Sequence, residues 1–364
     1  MYNVSITRCM NYNYKNVEKS VFLCLDKLPK INEIIKPGSK VLLKVNLLSK
    51  KTPEEAITTH PAIVQAVVKY FQFLECQVII ADSPGAPLGY NINTLKSVYS
   101  TTGMTAVAEN TGCKLNFDTS IASVDNTNGV SLKKMSVIKI INDVDFVISV
   151  AKLKTHTMMM YTGAVKNLFG VIPGIVKMKY HFTLNNATDF ANHLVDICEY
   201  VKPVLSIIDA IDGMEGNGPS AGDIRKVGLI MASENPYALD LAATHIIGIN
   251  PFEVPTISSA IKRNLFTGDI NDIVTTNIRF SDINIPPFRL PDTSKNSSSI
   301  PAINANLCKS CGACKNTCPA KAIDMIDHKP VIDLNKCIRC FCCHELCPSK
   351  AVYIEKFYEW NFNK

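Results

Sequence analysis

Short apolar runs alternate along the first 280 or so positions with stretches of helical periodicity. The runs within Val41–Val45, Gln77–Ala81, Phe146–Val150, Leu205–Ile208 and Val227–Met231 are too short for helices and rich in Val and Ile, which predicts buried strands. Between them, Pro61–Leu74, Ala187–Val201 and Pro236–Ile247 carry apolar residues at helical spacing. Proline suits a first helical turn, and Thr59 or His60 stands at the start of the first of these helices. Lys133–Ile141 alternates like an edge or hairpin strand. Strands separated by helices imply βαβ units, so the expected fold class is α/β with an open, mainly parallel sheet.

The pattern breaks near residue 284. Residues 284–303 hold Pro286, Pro287, Pro291 and Pro301 and read as a linker. The expected organisation is an α/β body over 1–283, the linker over 284–303, and a small α+β domain over 304–364 that ends in an aromatic tail around Trp360. That tail reads as a docked terminus.

Cysteine usage defines the small domain. Of 14 cysteines, Cys9, Cys24, Cys76, Cys113 and Cys198 are scattered, while the rest fall between Cys308 and Cys347. Cys308, Cys311, Cys314 and Cys318 precede Pro319, and Cys337, Cys340, Cys343 and Cys347 precede Pro348. Both runs read C-x2-C-x2-C-x3-C-P, the spacing of two-cluster bacterial ferredoxins, in which the fourth cysteine ligates the other cluster. One [4Fe–4S] cluster is therefore expected on Cys308, Cys311, Cys314 and Cys347, and a second on Cys337, Cys340, Cys343 and Cys318. CPAKAI at 318–323 repeats as CPSKAV at 347–352, an offset of 29 residues that suggests a pseudo-twofold. Zinc, the alternative, favours paired C-x2-C units with longer gaps. Cys342 aligns with Ala313 and reads as a non-ligand, with exchange for Cys343 the alternative.

Composition narrows the class. Hydrophobic residues at 47% and charged residues at 19% exclude a disordered or fibrous chain. No run of about 18 apolar residues predicts a membrane span. The opening MYNVSITRCMNYNYKN lacks a signal-peptide pattern, so a cytoplasmic, reducing location is expected. Lys and Arg exceed Asp and Glu by only 38 to 32, without a basic block, which argues against nucleic acid. Oxygen-sensitive clusters and many Asn, Ile and Lys residues suit an AT-rich anaerobe.

Candidate chemistry lies where the predicted strands end. KVLLKV runs into Asn46, QVIIA into Asp82, FVISVA into Lys152, Lys154 and His156, and LSII into Asp209 and the glycine-rich segment with Glu215. Ligands of open α/β sheets bind beyond the carboxyl ends of the strands. Asp82 or Asp209 alone would equally suit a turn cap; together the strand ends suggest one pocket. Lys152, Lys154, Lys166, Lys177 and Lys179, with His156, His181 and nearby glycines, suit a carboxylate or phosphate; a solvated lysine-rich loop is the bland alternative. Met158–Met160 reads as core filling. DGMEGNGPSAG at 212–222 matches no nucleotide-binding loop.

These residues carry a family resemblance. KVNLL at 44–48, TTHPAIVQAVV at 58–68, ADSPG at 81–85, KLKTH at 152–156, TGAVKNLFGVIPG at 162–174, DAIDGMEGNGPSAG at 209–222 and ALDLAAT at 238–244 resemble DUF362. The whole chain resembles DUF362 proteins that carry a C-terminal ferredoxin module. The resemblance implies [4Fe–4S] clusters and electron transfer. A shorter similarity, at His156, Lys166 and Pro173–Gly174, runs to the lactate racemase family and directs attention to a further metal or cofactor in the body.

The expectation is a redox enzyme. Two clusters relay electrons from a partner protein to an anionic small-molecule substrate or a cofactor. Lys152, Lys154 and Lys166 would bind the anion, His156 or His181 would donate a proton, and Lys166 would be needed for turnover. Asp82, Asp209 and Glu215 would orient the occupant or hold a metal, and Asn46 would line the same pocket. A pure electron carrier and a cluster-maturation scaffold are the alternatives.

Overall fold

A computed structural model of the chain describes all residues except 29, 86–88, 185, 296–298 and 357–364, so the Trp360 tail lies outside the described residues. In the body, strands β1 (Tyr2–Arg8), β2 (Lys40–Val45), β3 (Gln77–Ala81), β4 (Lys114–Leu115), β7 (Phe146–His156), β9 (Leu205–Glu215), β10 (Asp223–Ser233) and β11 (Ile273–Thr276) join in the order β11-β1-β10-β9-β7-β2-β3-β4. Strand β8 (Met160–Thr162) pairs antiparallel with the end of β7. The centre of the sheet, β9-β7-β2-β3, is parallel throughout. Strand β10 is antiparallel to both β1 and β9. A hairpin of β5 (Ile121–Asp125) and β6 (Lys134–Ile138) stands apart.

The apolar runs form these strands because both faces of the sheet are covered. Val41, Leu43 and Val45 pack with helices Tyr14–Leu25 and Pro61–Phe73 on one side. Leu42 joins helices Ala187–Val201 and Pro236–Ile246 on the other. Helix starts follow local capping chemistry. His60 Nδ1 accepts from the Ala62 amide ahead of Pro61, and Asn235 caps the turn opened by Pro236.

Strands β7 and β9 run well past their apolar runs, to His156 and Glu215. Their extensions remain almost wholly buried because polar partners reach them, Glu345 of the C-terminal module at His156 and Arg289 of the proline-rich segment at Glu215.

The proline-rich segment ends in strand β12 (Ser299–Ile303), which pairs antiparallel with β15 (Val352–Lys356) and so closes the C-terminal module on itself. Between them lie helix Ala313–Thr317, the hairpin β13 (Ile323–Ile326) and β14 (Lys329–Ile332), and helix Cys342–Glu345. The 29-residue repeat is visible in the backbone. Ser310 and Arg339, Gly312 and Phe341, and Lys321 and Lys350 form equivalent pairs, all in the left-handed region.

Candidate functional site

The module brings its cysteines together as two quartets. Cys308, Cys311, Cys314 and Cys347 line one void of about 310 Å³, and Cys318, Cys337, Cys340 and Cys343 line another of about 320 Å³. Among the described residues, no carboxylate or imidazole lines either void. Among the described residues, no three His, Cys, Asp or Glu side chains close on a point as a single metal ion requires. Four thiols spread around a void fit a [4Fe–4S] cluster, whose sulfurs also accept N–H donors. Such donors are built in. The Ala322 amide lies 3.2 Å from Cys318 Sγ, its repeat mate Ala351 3.2 Å from Cys347 Sγ, and Ser310 N 3.4 Å from Cys308 Sγ.

The quartets differ in surroundings. The first repeat leaves Cys311, Lys315 and Asn316 exposed. In the second, Phe341, Cys342, Cys343 and His344 are buried. Ser220 Oγ of the glycine-rich loop donates to the Glu345 carbonyl, and Lys51 Nζ lies 3.5 Å from the Pro348 carbonyl. Leu346 packs on Gly85, where a Cβ would meet Leu346 Cδ2 at 2.7 Å and the Leu48 carbonyl at 2.9 Å. The second repeat is thus the docked side of the module.

At this seam lies an open-mouthed cleft of about 640 Å³. The body supplies Lys44, Asn46, Asp82, Ser83, Lys166, Lys177 and His181, and the module supplies Thr317, Cys342, Glu345 and Leu346. Strand geometry explains part of this. In β2, Lys44 follows Leu42 on the same face, and its Nζ pairs with Asp82 at the end of β3 at 2.9 Å. It also donates to the Val45 carbonyl at 2.6 Å and Asn167 Oδ1 at 3.2 Å. The chain passes so close that a Cβ on Gly170 would sit 2.0 Å from Asp82 Oδ1. Asp240, deep in the other layer, accepts from the Ala164 and Val165 amides at 2.7 and 3.1 Å and so holds the turn that presents Lys166. Burial pushes the Asp240 carboxyl up to about 7.

The lysines fall into two groups. Lys152 is a closed pair with Asp209 at 3.0 Å. Asp209 also takes Tyr12 Oη and the His60 amide, each at 3.0 Å. Lys44 is likewise paired. Lys154 and Lys177 instead rest on neutral acceptors. Lys154 Nζ lies 2.7 Å from the Ile57 carbonyl and 3.2 Å from Asn46 Oδ1, and Lys177 Nζ donates to the Ser83 and Pro84 carbonyls. Burial, with other lysines nearby, pulls both ammonium groups down to about 7. Lys166 has no hydrogen bond or ion pair among the described residues and lies over the Phe169 ring at 5.9 Å. Burial lowers its pKa too.

Both histidines are held neutral. His156 Nδ1 accepts from the Met158 and Met159 amides at 3.0 and 3.2 Å, leaving the proton on Nε2, which faces Glu345 Oε2 at 3.8 Å. Burial and neighbouring Lys166 drive its pKa well down. His181 stacks on Phe190 at 4.6 Å and is pulled to about 3 by burial.

Of the sequence-selected residues, Asn46, Asp82, Lys166, Lys177 and His181 meet at the cleft, with His156 and Lys154 behind it. Lys152 and Asp209 form the closed pair. Glu215 faces another way, toward Arg289 at 3.2 Å and Arg225 at 3.7 Å. Sequence reasoning missed Lys44, Ser83, Thr317 and Glu345, and set Cys342 aside. The signal for the module residues was the departure of FCCHELCP at 341–348 from GACKNTCP at 312–319.

An α/β body whose strand ends meet a two-quartet cysteine module defines the class: a protein with a ferredoxin-like iron–sulfur domain fused to a pocketed body. The chain belongs to the DUF362 family. The domain of unknown function DUF362 matches residues 41–245, and a 4Fe-4S dicluster domain matches residues 300–348. A thylakoid-associated protein of Synechocystis sp. is 34% identical over 260 residues, 71% of this chain and 78% of its own length. Among solved structures, lactate racemase apoprotein from Thermoanaerobacterium thermosaccharolyticum is similar at 12% identity and TM-score 0.40, over 68% of this chain and 58% of that one. A structural-genomics target from Thermotoga maritima is similar at 12% identity and TM-score 0.38, over 70% and 60%. The chain thus spans about three fifths of each of these two structures. No helix among the described residues is long and apolar enough to cross a membrane.

Proposed function

We propose that the chain is an iron–sulfur redox enzyme in which residues 304–364 take single electrons from a partner protein and pass them to an acceptor held against residues 1–283. Cys308, Cys311, Cys314 and Cys347 hold the outer cluster, and Cys318, Cys337, Cys340 and Cys343 the inner. Bound clusters of this type supply one-electron transfer at potentials set by hydrogen bonds to sulfur and by exposure. The carrying observation is that Thr317 and Cys342, each adjacent in sequence to an inner-quartet cysteine, form the cleft wall opposite Lys166 and His181. An acceptor there lies beside the inner cluster. Lys166 binds its negative charge. His181, neutral, hydrogen-bonds it, and His156 holds its proton at Nε2 toward Glu345. Thiolate ligation suits the reducing cytoplasm.

Anaerobically prepared protein should carry about eight iron and eight sulfide per chain. Dithionite-reduced protein is then mixed with small oxo- and unsaturated carboxylic acids, and cluster reoxidation is followed optically. Lys166→Ala should retain both clusters and slow reoxidation about a hundredfold. Stoichiometric zinc with little iron contradicts the proposal. Unchanged reoxidation in the variant returns Lys166 to a bystander. Reoxidation by carrier proteins alone favours a pure electron carrier.

A further inference from the structure

Four polar groups converge on the cleft without a partner. Among the described residues, Ser83 Oγ, His181 Nδ1 and Thr317 Oγ1 find no hydrogen-bond partner, and the three residues are 2%, 8% and 0% exposed. Lys166 Nζ is the fourth. Burying a hydroxyl or imidazole nitrogen without a partner is destabilising, so three in one cleft point to something else that bonds them. They also come from both units: Ser83, Lys166 and His181 from the body, Thr317 from the module.

The charges have the same asymmetry. Lys44 and Lys152 have carboxylate partners in Asp82 and Asp209. Among the described residues, Lys154, Lys166 and Lys177 have none, and the carboxylate that lines the cleft besides paired Asp82 is Glu345. Positive charge buried in surplus is costly, and the depressed lysine pKa values are the molecule's response. A loaded inner quartet adds roughly −2 beyond Cys342, but it leaves the two hydroxyls and the imidazole unbonded.

We propose that the cleft is a binding site for a small oxyanion, carboxylate or phosphate, whose oxygens bridge Lys166 and Ser83 of the body to Thr317 of the module, with His181 donating from the side. The hydroxyls donate to the anion's oxygens, and neutral His181 donates through Nδ1 in the corresponding tautomer. Leu48, Phe169 and Leu346 line the apolar part, which suits a ligand with a short carbon skeleton. The ligand's role as electron acceptor rests on the relay proposed above; the site does not.

The test is calorimetric titration of oxidised, anaerobic holoprotein with acetate, succinate and inorganic phosphate. No electron flows, so loss of binding strikes the site alone, whereas binding without reoxidation strikes the relay alone. Saturable one-to-one binding of succinate or phosphate is expected, at least about tenfold tighter than acetate. Preference between the two identifies a dicarboxylate or a phosphate ligand. Lys166→Gln should weaken binding at least about tenfold, and Thr317→Val about fivefold, with iron content unchanged as the check on folding. Failure of both dianions to saturate, or unchanged affinity in both variants, overturns the proposal.

Discussion

The two halves of the cysteine module share one backbone and face different worlds. Left-handed residues recur at the same 29-residue offset, and matching amides reach Cys318 and Cys347 at the same 3.2 Å. Yet Gly312 opens the outer helix with open space around it, while Phe341, buried at the same left-handed position, opens the inner one and lines the inner void. An L-residue there costs about 1–2 kcal/mol that glycine avoids. The ring persists because its burial offsets that cost. What repeats is the cradle for a cluster; what departs from the repeat is the docking surface and the cleft wall.

The largest effect that tests this comparison exchanges ligands between halves. Cys347→Ser lies in the inner repeat, yet by crossed ligation it should disrupt the outer cluster, removing about half the iron or altering that cluster's EPR signal. Loss confined to the inner signal would contradict the crossing. Next comes packing. Phe341→Ala should destabilise the docked module by about 3 kcal/mol. Gly312→Ala, with open space around the added Cβ, should cost about 1 kcal/mol from backbone strain; chemical denaturation of holoprotein separates the two.

A smaller effect falls on potential. Buried Cys342 places a thiol between the inner-quartet cysteines Cys340 and Cys343 in sequence, where its repeat mate is Ala313. Cys342→Ala should therefore shift the inner couple to more negative potential and leave the outer couple in place, while Cys342→Ser should retain most of the wild-type value. The smallest is a pH dependence. Lys154 and Lys177 titrate near 7, so both are charged below that value and progressively neutral above it. Within the range where succinate remains a dianion, it should bind more tightly below pH 7 than above it. A flat profile would remove those lysines from the ligand's field.

Much of the fold was legible because burial on both faces writes strands as apolar runs. Gln77–Ala81 and Ala187–Val201 fall at their expected bounds. The extensions of β7 and β9 were not, because their polar residues are buried by partners distant in sequence: Asp209 by Tyr12 and Lys154 by Ile57. Strand β1 also escaped notice; YNVSITR carries polar residues that find partners only on folding, such as Thr7 with the Ser20 carbonyl. The cysteine quartets were legible from spacing alone. The cleft was legible by half, since strand ends point to Asn46 and Asp82, whereas Thr317 and Glu345 reach it only by docking.

The central claim is that one of two clusters sits against an anion-binding cleft. Potentiometric EPR titration of anaerobic holoprotein, with and without saturating succinate or phosphate, tests it most directly. Cys343→Ser and Cys311→Ser identify the inner and outer signals. Two couples are expected, of which the inner alone shifts when the anion binds. A single cluster, or two couples that both ignore the anion, would contradict it.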